Sequence, residues 1–173
     1  MKISPVCGNT YALEGHGLMG LYQLDDRRCI LIDSGDITER GELLDTLDQA
    51  HLTPVGVMST HVHIDHSINN AALRARYHCP VAVPAGEVET CRTPLGMKGY
   101  FYTYTPQMLE HFYGEMLCEV DAPIPYRTGC SGFAACPSTS STPPATPWTT
   151  SASPPRTGCA AWGTRCFPMT TCT

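Results

Sequence analysis

From Thr60 the chain reads Thr-His-Val-His-Ile-Asp-His-Ser, which packs three imidazoles and a carboxylate into the six positions from His61 to His66. Imidazole nitrogens and carboxylate oxygens are the usual ligands of borderline divalent cations, so metal binding is the chemistry such a segment is equipped for. On extended backbone, residues i and i+2 face the same side, so His61 and His63 can share one ion. Asp65 and His66, just beyond, can turn towards a neighbouring ion. A donor set of nitrogen and carboxylate oxygen with no thiolate nearby suits Zn2+, with Fe or Mn as alternatives where availability dictates. A histidine cluster that binds nothing is the competing reading. Against it, four ligand-type side chains at a strand end are costly to bury unpaired.

The elements that must position this segment are legible on either side of it. Apolar runs at 21–24 and 29–32, joined by Asp25, Asp26, Arg27 and Arg28, predict a β-hairpin. The second run ends in Asp33, Ser34 and Gly35. Asp36 with Glu39 three residues on resembles a capping box, and Leu43, Leu44, Leu47 and Ala50 form an apolar stripe, so a helix is expected over 37–50. A short apolar run at 54–58 reads as a buried strand leading straight into the histidines. Helical character follows at 68–77, a strand at 81–83 and a further helix at 108–117. Strands alternating with helices, and a polar loop at a strand's C-terminal end, predict a layered α/β protein with its site on that edge. Of the other histidines, His16 sits in a Gly-flanked loop that could face a substrate. His51, His78 and His111 read as ordinary polar or helix-end residues.

His-x-His-x-Asp-His after an apolar strand resembles the signature of the metallo-β-lactamase superfamily. The resemblance implies that His61 and His63 are ligands of a first metal and Asp65 and His66 of a second, with two zinc ions in a complete site. It also implies that Asp65 orients the attacking hydroxide. The Leu-Ile-Asp-Ser-Gly run at 31–35 resembles the family's strand ending in an Asp-x-Gly turn, whose carboxylate supports the metal loop. Asp33 is therefore a candidate to stand behind the ligands, although an Asp capping the following turn is an equally good reading. The resemblance covers about residues 1–121 and implies the first half of an αββα sandwich with the metals between the sheet edges. The reaction it implies is hydrolysis of a small-molecule ester, thioester or lactone by metal-activated hydroxide.

Whole-chain features narrow the class. At 173 residues the chain is expected to form one domain, with at most a tail. A net charge of −5 argues against a general nucleic-acid binder. No leader-like segment and no membrane-length apolar stretch is visible, so a cytoplasmic protein with no membrane partner is expected, which disfavours a true β-lactamase. Cys7, Cys29, Cys79, Cys91 and Cys118 are scattered without a C-x-x-C pair and read as small buried thiols, a disulfide framework being the weaker reading. Oligomeric state is not legible.

The averages conceal a break. All 16 Asp and Glu residues lie at or before Asp121. Beyond it there is no Leu, Val or Lys, yet nine of the 15 Pro and five of the ten Cys fall there. Residues 122–173 therefore predict an irregular or disordered tail rather than packed helices and strands. The last His of the chain is His111, so the later histidines and bridging Asp that the family requires are absent. Translation in a wrong frame accounts for both observations. Read one base earlier, from the third base of Ser141, the codons for 142–150 permit His-Thr-Pro-Gly-His-Ala-Leu-Asp-His. From the third base of Trp162, those for 163–171 permit Gly-Asp-Ala-Leu-Leu-Pro-Tyr-Asp-Asp. Most first bases are free, but Trp148, Trp162 and Met169 have single codons and force Asp, Gly and Asp, all compatible with the family pattern. A natural Ser/Thr/Pro-rich tail is the alternative. Nucleotide sequencing across codons 118–145 is expected to show a one-base deletion relative to the frame that encodes these motifs; an uninterrupted frame with no such motifs in the shifted reading would end this account.

Overall fold

The computed structural model of the protein describes residues 1–126 and, further on, two short strands. The first compact unit spans Met1–Arg127. Its spine is a seven-stranded sheet whose order follows the chain from β1 to β7. The strands are β1 (Lys2–Cys7), β2 (Thr10–Glu14), β3 (Leu18–Gln23), β4 (Arg28–Ile32), β5 (Thr53–Met58), β6 (Val81–Pro84) and β7 (Ala122–Ile124). Neighbours from β1 to β4 run antiparallel, and those from β4 to β7 run parallel. The change of direction follows from the connections, since short turns can join only antiparallel strands and parallel neighbours need a crossover.

The crossovers are helical. Between β4 and β5 lie a 3-10 turn (Ile37–Glu39) and α1 (Arg40–Gln49). Between β5 and β6 come α2 (Ile64–Ser67) and α3 (Asn70–Tyr77). Between β6 and β7 come α4 (Val88–Arg92), α5 (Pro94–Tyr100) and α6 (Pro106–Met116). The central strands are covered on both faces, so Cys29, Ile30, Leu31, Val57, Val81 and Val83 are buried together, as continuous apolar runs in a parallel sheet should be. Cys29, Cys79 and Cys91 are buried free thiols and Cys118 is half-buried. Burial pushes the Cys29 thiol up to about 12.

The hairpin, the helix after Asp36, the strand before the histidines and the helices beyond them lie where the residue pattern puts them. The capping box forms by half: the Asp36 side chain accepts from Thr38 N, while the Glu39 carboxylate is taken by the amide of His16 across the fold. The sheet reaches Ile124, just past the composition break at Asp121. In the second unit, Thr128–Thr173, β8 (Cys159–Ala161) and β9 (Cys166–Pro168) pair antiparallel. The expectation of an irregular tail otherwise falls outside the described residues. Among the described residues no helix is long and apolar enough to cross a membrane.

Asp121 closes the sheet's parallel edge: its carboxylate accepts from Val81 N at 2.8 Å and from the Arg74 guanidinium at 3.1 and 3.2 Å. Burial alone would raise this carboxyl, but the donors from Arg74 and Val81 outweigh it and hold it below the usual Asp range. A carboxyl lowered by folding contributes stability fully above its unfolded value, about 3.9, and loses it as pH falls through the folded value. Urea midpoints across a pH series are therefore expected to show Asp121→Asn as less stable than the parent near pH 7, the gap narrowing below about pH 4. A gap of constant size down to acid pH would show that the charge of Asp121 contributes nothing.

Candidate metal centre

The site begins with register. Ile32 is paired with Met58 at the ends of β4 and β5, and the ladder continues one step with Asp33 N donating to Met58 O at 2.7 Å. Ser59 N then donates to Ala82 O of β6 at 2.9 Å. Asp33 and Thr60 thus emerge side by side at the C-terminal edge of the parallel strands, where loops of open α/β sheets converge.

Asp33 adopts a left-handed backbone, with φ of 65°, and the residue is 5% exposed. A non-glycine residue held there is under local constraint, which the hydrogen bonds explain. Its carboxylate accepts from Thr60 N at 2.7 Å and from Thr60 Oγ1 at 2.9 Å, and stands 3.0 Å from His66 Nδ1. The single Thr60 hydroxyl proton goes to Asp33, so Thr60 Oγ1 serves as acceptor to His61 Nδ1, 3.0 Å away. In the tautomer with Nδ1 protonated on both rings, Nε2 carries the lone pair. The Asp33 carboxylate is spent on Thr60 and His66 and not on the turn that follows it.

The predicted ligands are brought together. The ring centroids of His61 and His63 lie 4.6 Å apart, and those of His61 and His66 lie 4.1 Å apart. Val62 between them is fully buried, as alternation on extended backbone requires. His63 is the N-cap of α2, which carries Asp65 and His66 in a single turn, with Asp65 Oδ2 3.5 Å from His66 Nε2. This nitrogen and oxygen donor set, free of thiolate, fits zinc by its chemistry. Among the described residues, no group of three or more His, Cys, Asp or Glu is gathered so that it could hold a metal ion. His16 lies at the tip between β2 and β3, beside Asp65 and His66 on the wall of one cavity. His51 and His78 occupy left-handed positions at helix ends, and His111 lies within α6, so none of these three joins the cluster.

Several residues that hold the site carry no motif. Asn69, buried, donates through Nδ2 to the carbonyls of Ser34 at 2.8 Å and Asp36 at 2.9 Å, which pins the loop after β4. Its Oδ1 accepts from Arg40 Nε at 2.7 Å. Glu87 accepts from Val62 N at 2.7 Å and so fixes the backbone between the first two histidines. Behind His63 stand Tyr100 and Phe101, with ring centroids 5.6 and 6.1 Å away. Burial, and then the nearby Glu87 carboxylate, push the Tyr100 hydroxyl up. The only sequence signal for Asn69 and Glu87 is polarity at positions adjoining apolar periodic runs.

The family model of the metallo-beta-lactamase superfamily matches residues 13–148. The chain belongs to the metallo-beta-lactamase superfamily. Among solved structures of the superfamily, a mutant of the metallo-beta-lactamase from Legionella gormanii aligns at a TM-score of 0.58 and 12% identity, over 72% of this chain and 46% of that one. The subclass B3 metallo-beta-lactamase of Bradyrhizobium japonicum aligns at 0.53 and 14% identity, over 72% of this chain and 45% of that one. At such identities the likeness is one of fold. The chain spans less than half the length of these two superfamily members. A search of the curated proteins gives no significant match.

If the Asp33 carboxylate fixes the His66 tautomer, Asp33→Asn should redistribute the His66 ring proton and cost about 1–3 kcal/mol of stability through lost charge-assisted hydrogen bonds. Asn tolerates the left-handed backbone, so the comparison isolates the charge. Nitrogen-15 NMR of the imidazoles, with chemical denaturation alongside, reads both quantities. An unchanged His66 tautomer would remove Asp33 from this role.

Proposed function

We propose that this chain derives from a zinc-dependent hydrolase with a two-ion site, acting on a small-molecule ester, thioester or lactone. The observation that carries the reading is the relay from Asp33 through Thr60 to His61 and directly to His66, because it turns both Nε2 lone pairs away from their hydrogen-bonded Nδ1 atoms. Such a carboxylate behind a ligating histidine fixes ring orientation and raises ligand basicity. His61 and His63 would hold one ion, and Asp65 with His66 the other. Bound zinc supplies Lewis-acid polarisation of the substrate oxygen and a water acidic enough to act as hydroxide near neutral pH.

The protein's own contributions are orientation and exclusion. Asp65, whose side chain is 68% exposed, is free to accept a proton or a hydrogen bond from the attacking group. Tyr100 and Phe101 wall one side of His63 with apolar surface, which limits water around the ligands. A cytoplasmic location and zinc as the metal belong to the same proposal, as does the absence of nucleic-acid and membrane partners.

A second reading is favoured by one observation, namely that no three ligand-type side chains among the described residues are arranged for a metal. Under it, the chain as written is a non-catalytic product of a frame error after about Asp121 and holds half a site. The two readings part on metal stoichiometry, because zinc sites normally use at least three protein ligands. The chain as written and a frame-restored version should be expressed together, bound zinc counted per chain, and thioesters, lactones and phosphodiesters assayed. The expected outcome is weak zinc binding and little turnover in the first, with two zinc ions and turnover in the second. Near-stoichiometric binuclear zinc with brisk turnover in the chain as written would overturn the half-site account, and an inactive, zinc-free restored protein would overturn the hydrolase reading.

A further inference from the structure

Asp33 and Glu39 are the buried acidic residues among the described residues, each 5% exposed. Asp33 has its donors. Glu39 does not: Oε1 accepts from His16 N at 2.5 Å, but Oε2 is buried with no hydrogen-bond partner. A buried carboxylate oxygen without a donor is strongly disfavoured, so its position calls for a donor that the described residues do not supply.

Its surroundings indicate what that donor is. Glu39 lines a cavity of about 150 Å³ that also touches Asp36, Asp65, His66, His16 and Met19. Among the described residues the lining holds four carboxylates, Asp33, Asp36, Glu39 and Asp65, and no Lys or Arg. Backbone has been kept clear of the carboxylate on two sides by glycine. A Cβ on Gly15 would collide with Oε1, and one on Gly35 would stand 3.6 Å from Oε2 and 2.7 Å from the Met19 sulfur. Met19 shares that face of Gly35 with Oε2, and an unbranched thioether can swing aside to admit a ligand. A cation that carries its own N–H donors satisfies both the charge and the orphaned oxygen, and the volume admits a small headgroup rather than a large one.

We propose that Glu39 is the binding residue for a primary ammonium group, with Asp36 and Asp65 supplying further negative potential along the cavity. The cavity touches Asp65 and His66, so an ammonium held there lies beside the reacting end of the substrate. The identity of that ligand as substrate rests on the hydrolase reading above, and assigns to it esters, thioesters or lactones that carry a free amino group near the scissile carbonyl. Glu39 selects this group and takes no part in bond breaking.

The test uses the chain as written and needs neither metal nor turnover. The His16 amide donates to the same carboxylate, so its proton and nitrogen-15 resonances report on the pocket. Titration with ethylammonium at millimolar concentrations should give a saturable shift of that cross-peak. Ethanol, which lacks the charge, and tetramethylammonium, which lacks the N–H, should not. Glu39→Gln should weaken ethylammonium binding by about tenfold or more, the usual scale for a charged hydrogen bond. An equal response to tetramethylammonium, no response to any probe, or an unchanged affinity in Glu39→Gln overturns the proposal. The comparison of the three probes on the parent chain stands even if the variant fails to fold. Failure here leaves the zinc and turnover measurements untouched, and an inactive enzyme leaves this titration readable.

Discussion

The organisation of the site depends on the buried carboxylate of Asp33. A desolvated charge at a sheet edge is tolerable only when hydrogen bonds replace its lost water, and here they come from the ligand loop itself. The Thr60 amide and hydroxyl and the His66 ring all point at this one group. The same interaction satisfies Asp33 and orients the loop, so neither can be placed without the other. It also accounts for the left-handed backbone of Asp33, since that conformation turns the side chain towards the neighbouring strand's end while its own amide continues the ladder to Met58.

Around this hub the polar network ties three crossovers into one frame. Asn69, at the start of α3, fastens the carbonyls of Ser34 and Asp36 and receives Arg40 of α1. Arg40 in turn reaches Glu115 of α6 at 2.5 Å. Asn70 donates to Ser59 Oγ at 2.8 Å just before the histidines. These groups are buried or half-buried, where a hydrogen bond is stronger and a missing one more costly, so they specify a single loop geometry more effectively than apolar packing could. The loop is rigid on one side through Asp33 and Asn69 and on the other through Glu87.

Such a frame was only partly legible beforehand. The apolar runs of β4, β5 and β6 are readable because strands buried on both faces must be continuously apolar, and the histidine spacing is readable because metal ligands need close approach. Thr60 is adjacent to the motif yet looks like an ordinary strand-end residue until Asp33 is placed opposite it. Asn69 and Glu87 act across long separations on backbone groups, which leaves no periodic trace. β1 and β2 are lightly covered antiparallel strands near the sheet's edge, so neither alternates cleanly. The capping box at Asp36 lacks its return bond from the Glu39 side chain for a reason local sequence does not contain: the His16 amide reaches Glu39 from another hairpin.

The scaffold engages His61 and His66 through Nδ1, leaving both Nε2 atoms uncommitted to it, apart from the 3.5 Å approach of Asp65 to His66. The rings are thereby oriented by the sheet edge and by Thr60. The ligand loop's order comes from hydrogen bonds contained within residues 33–87, all of them inside the first compact unit. A superfamily site whose remaining ligands come from later strands can therefore have its first two ligand pairs organised independently of those strands. Three imidazoles and a carboxylate thereby lie within one short segment, a donor set whose chemistry suits a cation.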